Sequence, residues 1–436
     1  MSQVATRARP RRVTGRPPRL LLAAGALTAV VALIPLVYLL VRVSEAGLAR
    51  IIEVLVRPRT LETIGISVAL VLVVVTACLA IGIPTAWLVA RSALPLRGMW
   101  LVLVALPLAV PSYVAAYAWL AQFPAMHGFW AAALILTMVS SPYVVLPVTA
   151  AFRSSDPALE EVARSLGRGP FRAFATTTLP QAWPAAAGGA LLVALYVLSD
   201  FGAVALLRVD AFTRVIYASY RASFDRVSAA VLALVLVGLA ALLVYGERRV
   251  RGRTRRWRVA TGTQRVSIPV TLGTGARIGA LAWLTVLPVL ALGVPLVSLV
   301  LRMLQGSRTP LDPLELLTAA LTSLGVALAG AILAVLLALP VGIMAARYRT
   351  RAVRGIETVS YTGHALPAVV VGLSLVFLTL AVFPAAIPGR VSRKVVSTQA
   401  RNGPRPSVRA VCSSTGDTDA VALRVAPIAL GRKSTA

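Results

Sequence analysis

Residues Ser155 to Pro180 read SDPALEEVARSLGRGPFRAFATTTLP, a long polar interruption in the first half of a chain otherwise built from apolar runs. The stretch predicts two short helices joined by a turn. Asp156 can cap the first helix through its carboxylate, Pro157 suits the first helical position, and Glu160 and Glu161 lie near the positive end of the helix dipole. Gly167 closes that helix, because glycine accepts the left-handed conformation of a helix C-terminus. Gly169 and Pro170 then restart the chain as a second segment running to Leu179 and Pro180. A helical hairpin between two membrane spans, with no partner, would show the same local pattern.

What surrounds the stretch is a membrane composition. Of 436 residues, 58% are hydrophobic and the mean hydropathy is +0.83, too apolar for a soluble protein with one shell of surface. The formal charge of +29 raises nucleic acid as a partner, but the basic residues fall between long apolar runs, with no basic face interleaved with aromatics. Cys78 and Cys412 make neither a disulfide framework nor a metal cluster. Only Lys394 and Lys433 are lysines, so a phosphate-cradling Gly-Lys-Ser/Thr loop cannot occur before residue 394. Any ATP used here is hydrolysed on another chain.

Taken in order, Leu20 to Val41 run 22 residues without a charge, enough to cross a hydrocarbon core. A signal peptide is the rival, but the run is too long and lacks a small-residue cleavage site at the usual distance. Thr63–Ala90 follows, then Gly98–Phe152, long enough for two crossings with a turn around Gln122–Gly128 that leaves His127 as a solvated loop residue. Further crossings are expected at Ala185–Leu207, Val227–Gly246, Ile278–Leu301, Leu316–Ala346 and Thr358–Phe383, which makes nine. With the N-terminus inside, the inner segments (1–19, 91–97, 153–172, 247–277, 347–354) carry 25 arginines and the outer loops 10. Basic residues are retained on the cytoplasmic side. The Ser155–Pro180 loop is therefore expected in the cytoplasm.

Spacing within the loop adds a resemblance. Glu161 and Ala163 are followed by Gly167 and then by Leu179-Pro180, with Val162 and Thr177 at the intervening positions. This resembles the "EAA" loop of the permease subunits of binding-protein-dependent ABC importers, E-A-A, three residues, G, nine residues, I-x-L-P; Val162 replaces an alanine and Thr177 the isoleucine. The resemblance implies an all-α polytopic membrane protein of the MetI-like ABC permease fold, in a bacterial inner membrane with a cytoplasmic N-terminus. It also implies that Glu161, Ala163, Gly167, Leu179 and Pro180, with Glu160 beside them, couple to a separate ABC ATPase dimer. That dimer would bind ATP and Mg, leaving no cofactor on this chain. An extracytoplasmic substrate-binding protein and the lipid bilayer are the other implied partners, and nucleic acid is not.

The chain also repeats itself. Ile34-Pro35-Leu36-Val37 with Arg42 returns as Val294-Pro295-Leu296-Val297 with Arg302, PTAWLVAR (84–91) as PVGIMAAR (340–347), and Arg97-Gly98 as Arg354-Gly355. Two permease cores in one polypeptide resemble the fused iron(III)-type importers. The expected organisation is a basic cytoplasmic N-terminus (1–19), a first repeat with six transmembrane helices (20–246) holding the coupling loop (153–182), and a basic cytoplasmic linker (247–277). A partial second repeat with three transmembrane helices (278–384) and an unrelated tail (385–436) complete it. The second repeat is expected to be incomplete: its coupling glutamate, glycine and Leu-Pro would fall at 417, 423 and 435–436, where Asp417, Leu423, Thr435 and Ala436 stand. A shifted reading frame and a natural disordered tail both account for this, and such a chain alone is expected to couple ATP hydrolysis poorly.

Asp200, in Leu198-Ser199-Asp200-Phe201-Gly202-Ala203, is the charge within an expected span, and an intramembrane acid is a translocation-path candidate by default. An interfacial acid within reach of water or Arg208 is the alternative. The segment resembles the LSDFGA stretch of iron(III)-type permeases, which implies that cargo; thiamine, phosphonate, sulfate and polyamine importers share the coupling loop. Prolines such as Pro84, Pro107, Pro111 and Pro340 permit kinks within spans. No catalytic residue and no metal-ligand spacing is read in the membrane region. A secondary transporter or channel would need several buried ionisable groups or a polar pore stripe, and a membrane enzyme a nucleophile and base at one depth.

Overall fold

The computed structural model describes residues 17–155, 158–221, 226–254, 269–305, 312–348, 350–364, 370–372 and 374–376. Helices follow the apolar runs. α1 (Arg19–Glu45) and the short α2 (Leu48–Val56) lead into α3 (Pro58–Arg91). α4 (Arg97–Ala105), a 3-10 turn and α5 (Ser112–Gln122) come next, then α6 (Phe129–Ser140) and α7 (Pro142–Ser154). α8 (Ala158–Ser165) and the single turn α9 (Pro170–Ala173) form the polar interruption, and a π-helical turn over Phe174–Thr178 feeds α10 (Leu179–Ser199). After α11 (Gly202–Leu206), α12 (Phe212–Arg221) and α13 (Arg226–Thr254) come α14 (Thr274–Pro288), a second π-helical turn, α15 (Val294–Leu304), α16 (Pro313–Arg347) and α17 (Arg351–His364).

Among the described residues, seven helical rods are long and apolar enough to cross a membrane. One expected crossing is bent: α4 and α5 meet at 89°. The break falls where Pro107 and Pro111 remove backbone donors and restrict the residues before them. Counted as one span, this pair makes eight. The expected Ala185–Leu207 crossing lies earlier, at Phe171–Ser199, and stops at Asp200. Of the ninth, Thr358–Phe383, the described part is the end of α17 and the helical stretches 370–372 and 374–376. The tail 385–436, the positions expected to lack a second coupling motif, and Asp156 and Pro157 lie outside the described residues. α16 exposes apolar side chains around most of its circumference, as a helix facing lipid does.

Close helix packing positions the polar loop. Ser67, Val71, Val74, Cys78, Gly82 and Ala86 recur at three- and four-residue spacing on α3 and are buried, forming a face of mostly small residues for α6, α7 and α10. Small residues let membrane helices approach closely. A Cβ on Gly82 would stand 2.8 Å from the Val144 side chain, and one on Gly189 of α10 would stand 2.6 Å from the Tyr143 carbonyl oxygen. α7 is thus wedged between α3 and α10. The far half docks reciprocally: Thr28 Oγ1 of α1 donates to Leu337 O of α16 at 2.8 Å, and Trp283 Nε1 of α14 donates to Thr85 Oγ1 of α3 at 3.0 Å.

This packing makes a differential prediction. Gly189→Ala, whose methyl meets rigid backbone, should lower stability by about 1–3 kcal/mol, whereas Gly238→Ala, with nothing within 4 Å of its Cβ, should not lower it. Thermal unfolding in detergent checks this; equal effects at the two sites would contradict the wedge.

Candidate functional site

The polar interruption folds as a helical elbow. α8 closes through Gly167, whose φ of +81° is the left-handed conformation expected there. The Gly167 N–H donates to Arg164 O at 3.0 Å and the Arg168 N–H to Ala163 O at 3.1 Å, which satisfies two terminal carbonyls of the helix. α8 has two unlike faces. Glu160 and Ala163, three residues apart, turn toward the bundle, and Ala163 is buried. Leu159, Val162 and Leu166 share the outer face and are exposed, as is Phe171 on α9. Glu161 is exposed, Leu179 half-buried and Pro180 exposed at the start of α10.

A buried cation holds the inner face. Arg91, the last residue of α3, has a side chain only 6% exposed. Its Nη2 donates to Ser155 Oγ at 3.0 Å, to Thr178 Oγ1 at 3.4 Å and to Glu160 Oε2 at 3.5 Å, while Thr178 Oγ1 donates to the same Glu160 oxygen at 3.0 Å. One guanidinium therefore ties α7, α8 and α10 to the end of α3. The π-helical turn before α10 ends at Thr178, which is buried at this junction. Sequence reasoning weighted Glu161 and missed Arg91, Ser155 and Thr178. The available signal was the repeated arginine closing PTAWLVAR and PVGIMAAR.

Beside this network lies a cleft of about 930 Å³, lined by Trp87, Arg91, Glu160, Phe171 and Phe174 among others, with Pro269, Val270 and Thr271 on its far wall. Those three residues arrive from the linker. The Val270 N–H donates to Arg91 O at 2.7 Å and the Ala93 N–H to Val270 O at 2.9 Å, a two-bond parallel bridge. Segments 91–97, 153–172 and 269–273, which the arginine count assigns to one side, thus meet at one end of the bundle.

Asp200 lies elsewhere, at the other end of α10, and is 8% exposed. Its Oδ1 accepts from the Ala203 N–H at 2.9 Å and the Val204 N–H at 3.4 Å, and its Oδ2 accepts from Ser112 Oγ. Its own carbonyl accepts from Thr213 Oγ1 at 2.6 Å. The residue caps the start of α11 and fastens α5, α10 and α12 together; no ion pair with Arg208 forms among the described residues. His127 is exposed in its loop.

A family profile described as "Binding-protein-dependent transport system inner membrane component" matches residues 79–246, which contain the whole elbow. The Fe(3+)-transport system permease protein FbpB 2 of Haemophilus influenzae is 33% identical over 349 residues, covering 80% of this chain and 69% of that one. The chain belongs to this family of permeases. It is a multi-pass membrane protein, a permease subunit of the ATP-binding-cassette type. The permease is also 28% identical over 195 residues to the sulfate transport system permease protein CysW of Escherichia coli, covering 41% of this chain and 67% of that one. With the molybdate/tungstate transport system permease protein WtpB of Thermococcus kodakarensis it shares 26% identity over 196 residues, covering 43% and 79%.

The capping geometry of Asp200 predicts that Asp200→Asn, which keeps an acceptor for the α11 amides, folds nearly as well as the parent. Asp200→Ala should lose about 1–2 kcal/mol. Thermal unfolding in detergent separates the two, and an alanine variant as stable as the parent would refute the cap.

Proposed function

We propose that this permease carries iron(III) across the bacterial inner membrane, with its N-terminus in the cytoplasm. The likeness to the Haemophilus iron(III) permease over 80% of the chain supports the cargo. The excess of arginines on the inner segments supports the orientation, and so does the meeting of three of those segments at one end. We assign ATP and Mg to a separate ATPase dimer, so that this chain needs no cofactor of its own, and cargo capture to an extracytoplasmic binding protein.

The observation that carries the ATPase assignment is the two-faced α8. A short helix with Leu159, Val162 and Leu166 exposed on one side, and Phe171 beside it, is a ready contact for a partner. Its opposite side is anchored into the bundle by Ala163 and Glu160. Glu161, exposed beside the apolar face, adds a charge for partner recognition. When the ATPase closes, the elbow moves, and the ends of α3, α7 and α10 move with it. Rigid-body rocking of this kind alternates access to a central path. Asp200 braces the far end of that path through the α5–α10–α11 junction.

Co-purification with the ATPase subunit tests the reading. The parent should retain the ATPase in detergent. Gly167→Pro should lose it, because proline fixes φ near −65° where the elbow needs a positive value, and Glu161→Lys should weaken it. An ATPase that never co-purifies, or that ignores both substitutions, would contradict the proposal. Uptake of iron(III), with sulfate and molybdate as competitors, tests the cargo: iron(III) uptake resistant to both oxyanions is expected, and oxyanion uptake without iron(III) uptake would overturn it.

A further inference from the structure

The Arg91 network holds more acceptors than its engaged donor can serve. Nη2 carries two hydrogens and faces three acceptors, Ser155 Oγ, Thr178 Oγ1 and Glu160 Oε2, at 3.0, 3.4 and 3.5 Å. The Arg91 Nε–H, also buried, has no acceptor among the described residues. A buried donor without an acceptor is costly. The contact to Glu160 is thus one-armed and long, while the guanidinium edge that matches a carboxylate with two parallel bonds is half unused.

We infer that Arg91 is a positioning residue that passes movement of the elbow into the membrane helices by exchanging one-armed for two-armed contact with Glu160. The inference rests on the permease reading above. Movement of α8 toward α3 brings the carboxylate onto both Nε and Nη2, satisfies the orphaned donor, and locks α8 to α3. Movement away returns Nη2 to Ser155 and Thr178, which directly follow α7 and directly precede α10. The elbow therefore has two discrete attachments, one to α3 and one shared with its flanking spans. The backbone of the same residue extends the path, since Arg91 O holds Val270, four residues before α14 begins. Displacement at the end of α3 thereby reaches the second half of the chain.

The full chain, with its ATPase and binding protein in liposomes, provides the test. Arg91→Lys keeps the charge but cannot form the two-armed pair; Glu160→Gln keeps the shape but removes the carboxylate. Arg91→Lys, at a buried side chain away from the exposed outer face of α8, should retain ATPase co-purification and basal hydrolysis. Each variant should lower iron(III) transported per ATP about ten-fold, the effect of losing roughly 1.4 kcal/mol of differential contact. The double variant should be no worse than either single one, because the two groups act as a unit. Ser155→Ala, which removes a competing acceptor and leaves the pair intact, should transport within about two-fold of the parent by the same conversion. Normal coupling in both single variants would overturn the inference. So would loss of ATPase binding and thermal stability together, the result expected of a mere fastener. A parent chain that binds no ATPase fails at the permease reading instead, before the variants are compared.

Discussion

A cation taken out of water at the end of a membrane helix needs acceptors, and the need of Arg91 organises one whole end of this bundle. An uncompensated buried charge costs several kcal/mol. Ser155, Glu160 and Thr178 supply the acceptors, and they stand at the start, in the first helix and near the end of the elbow. The elbow therefore cannot hang as a free loop between α7 and α10. Its inner face is committed to α3, which leaves its outer face, with Leu159, Val162 and Leu166, turned to solvent.

Close packing makes that commitment mechanical. α3, α7 and α10 touch through glycines whose replacement would collide with Val144 or the Tyr143 carbonyl. Interiors packed this closely transmit displacement rather than absorb it. The reciprocal bonds of Thr28 to α16 and of Trp283 to α3 spread the linkage across both halves. On the proposed mechanism, an ATPase pressing on a few exposed apolar side chains would move a block of helices.

Much of this was legible in the sequence, for definite reasons. Uncharged runs of about 20 residues or more mark crossings because nothing else accommodates them, and Gly167 marks the elbow because the turn needs its positive φ. The bend between α4 and α5 was not legible, since Pro107 and Pro111 sit in an uncharged run that a straight pair of helices would also produce. The facing of Glu160 rather than Glu161 was hidden for a different reason. Neighbouring helix positions lie roughly 100° apart, so which carboxylate meets the bundle depends on how α8 docks. The duty of Asp200 was obscured because a charge inside a span draws attention to the path, whereas here the backbone donors of the helix that follows account for it. Arg91 sat in plain view inside a repeated motif, but its three partners lie 64 to 87 residues away.

On the proposed mechanism, the elbow faces the compartment where ATP is hydrolysed. Leu166, exposed on its outer face, can be replaced by cysteine in a chain lacking Cys412, since Cys78 is buried, and treated with a membrane-impermeant maleimide. Labelling is expected in inverted vesicles and not in intact cells. Labelling in intact cells would place the elbow outside and contradict that mechanism.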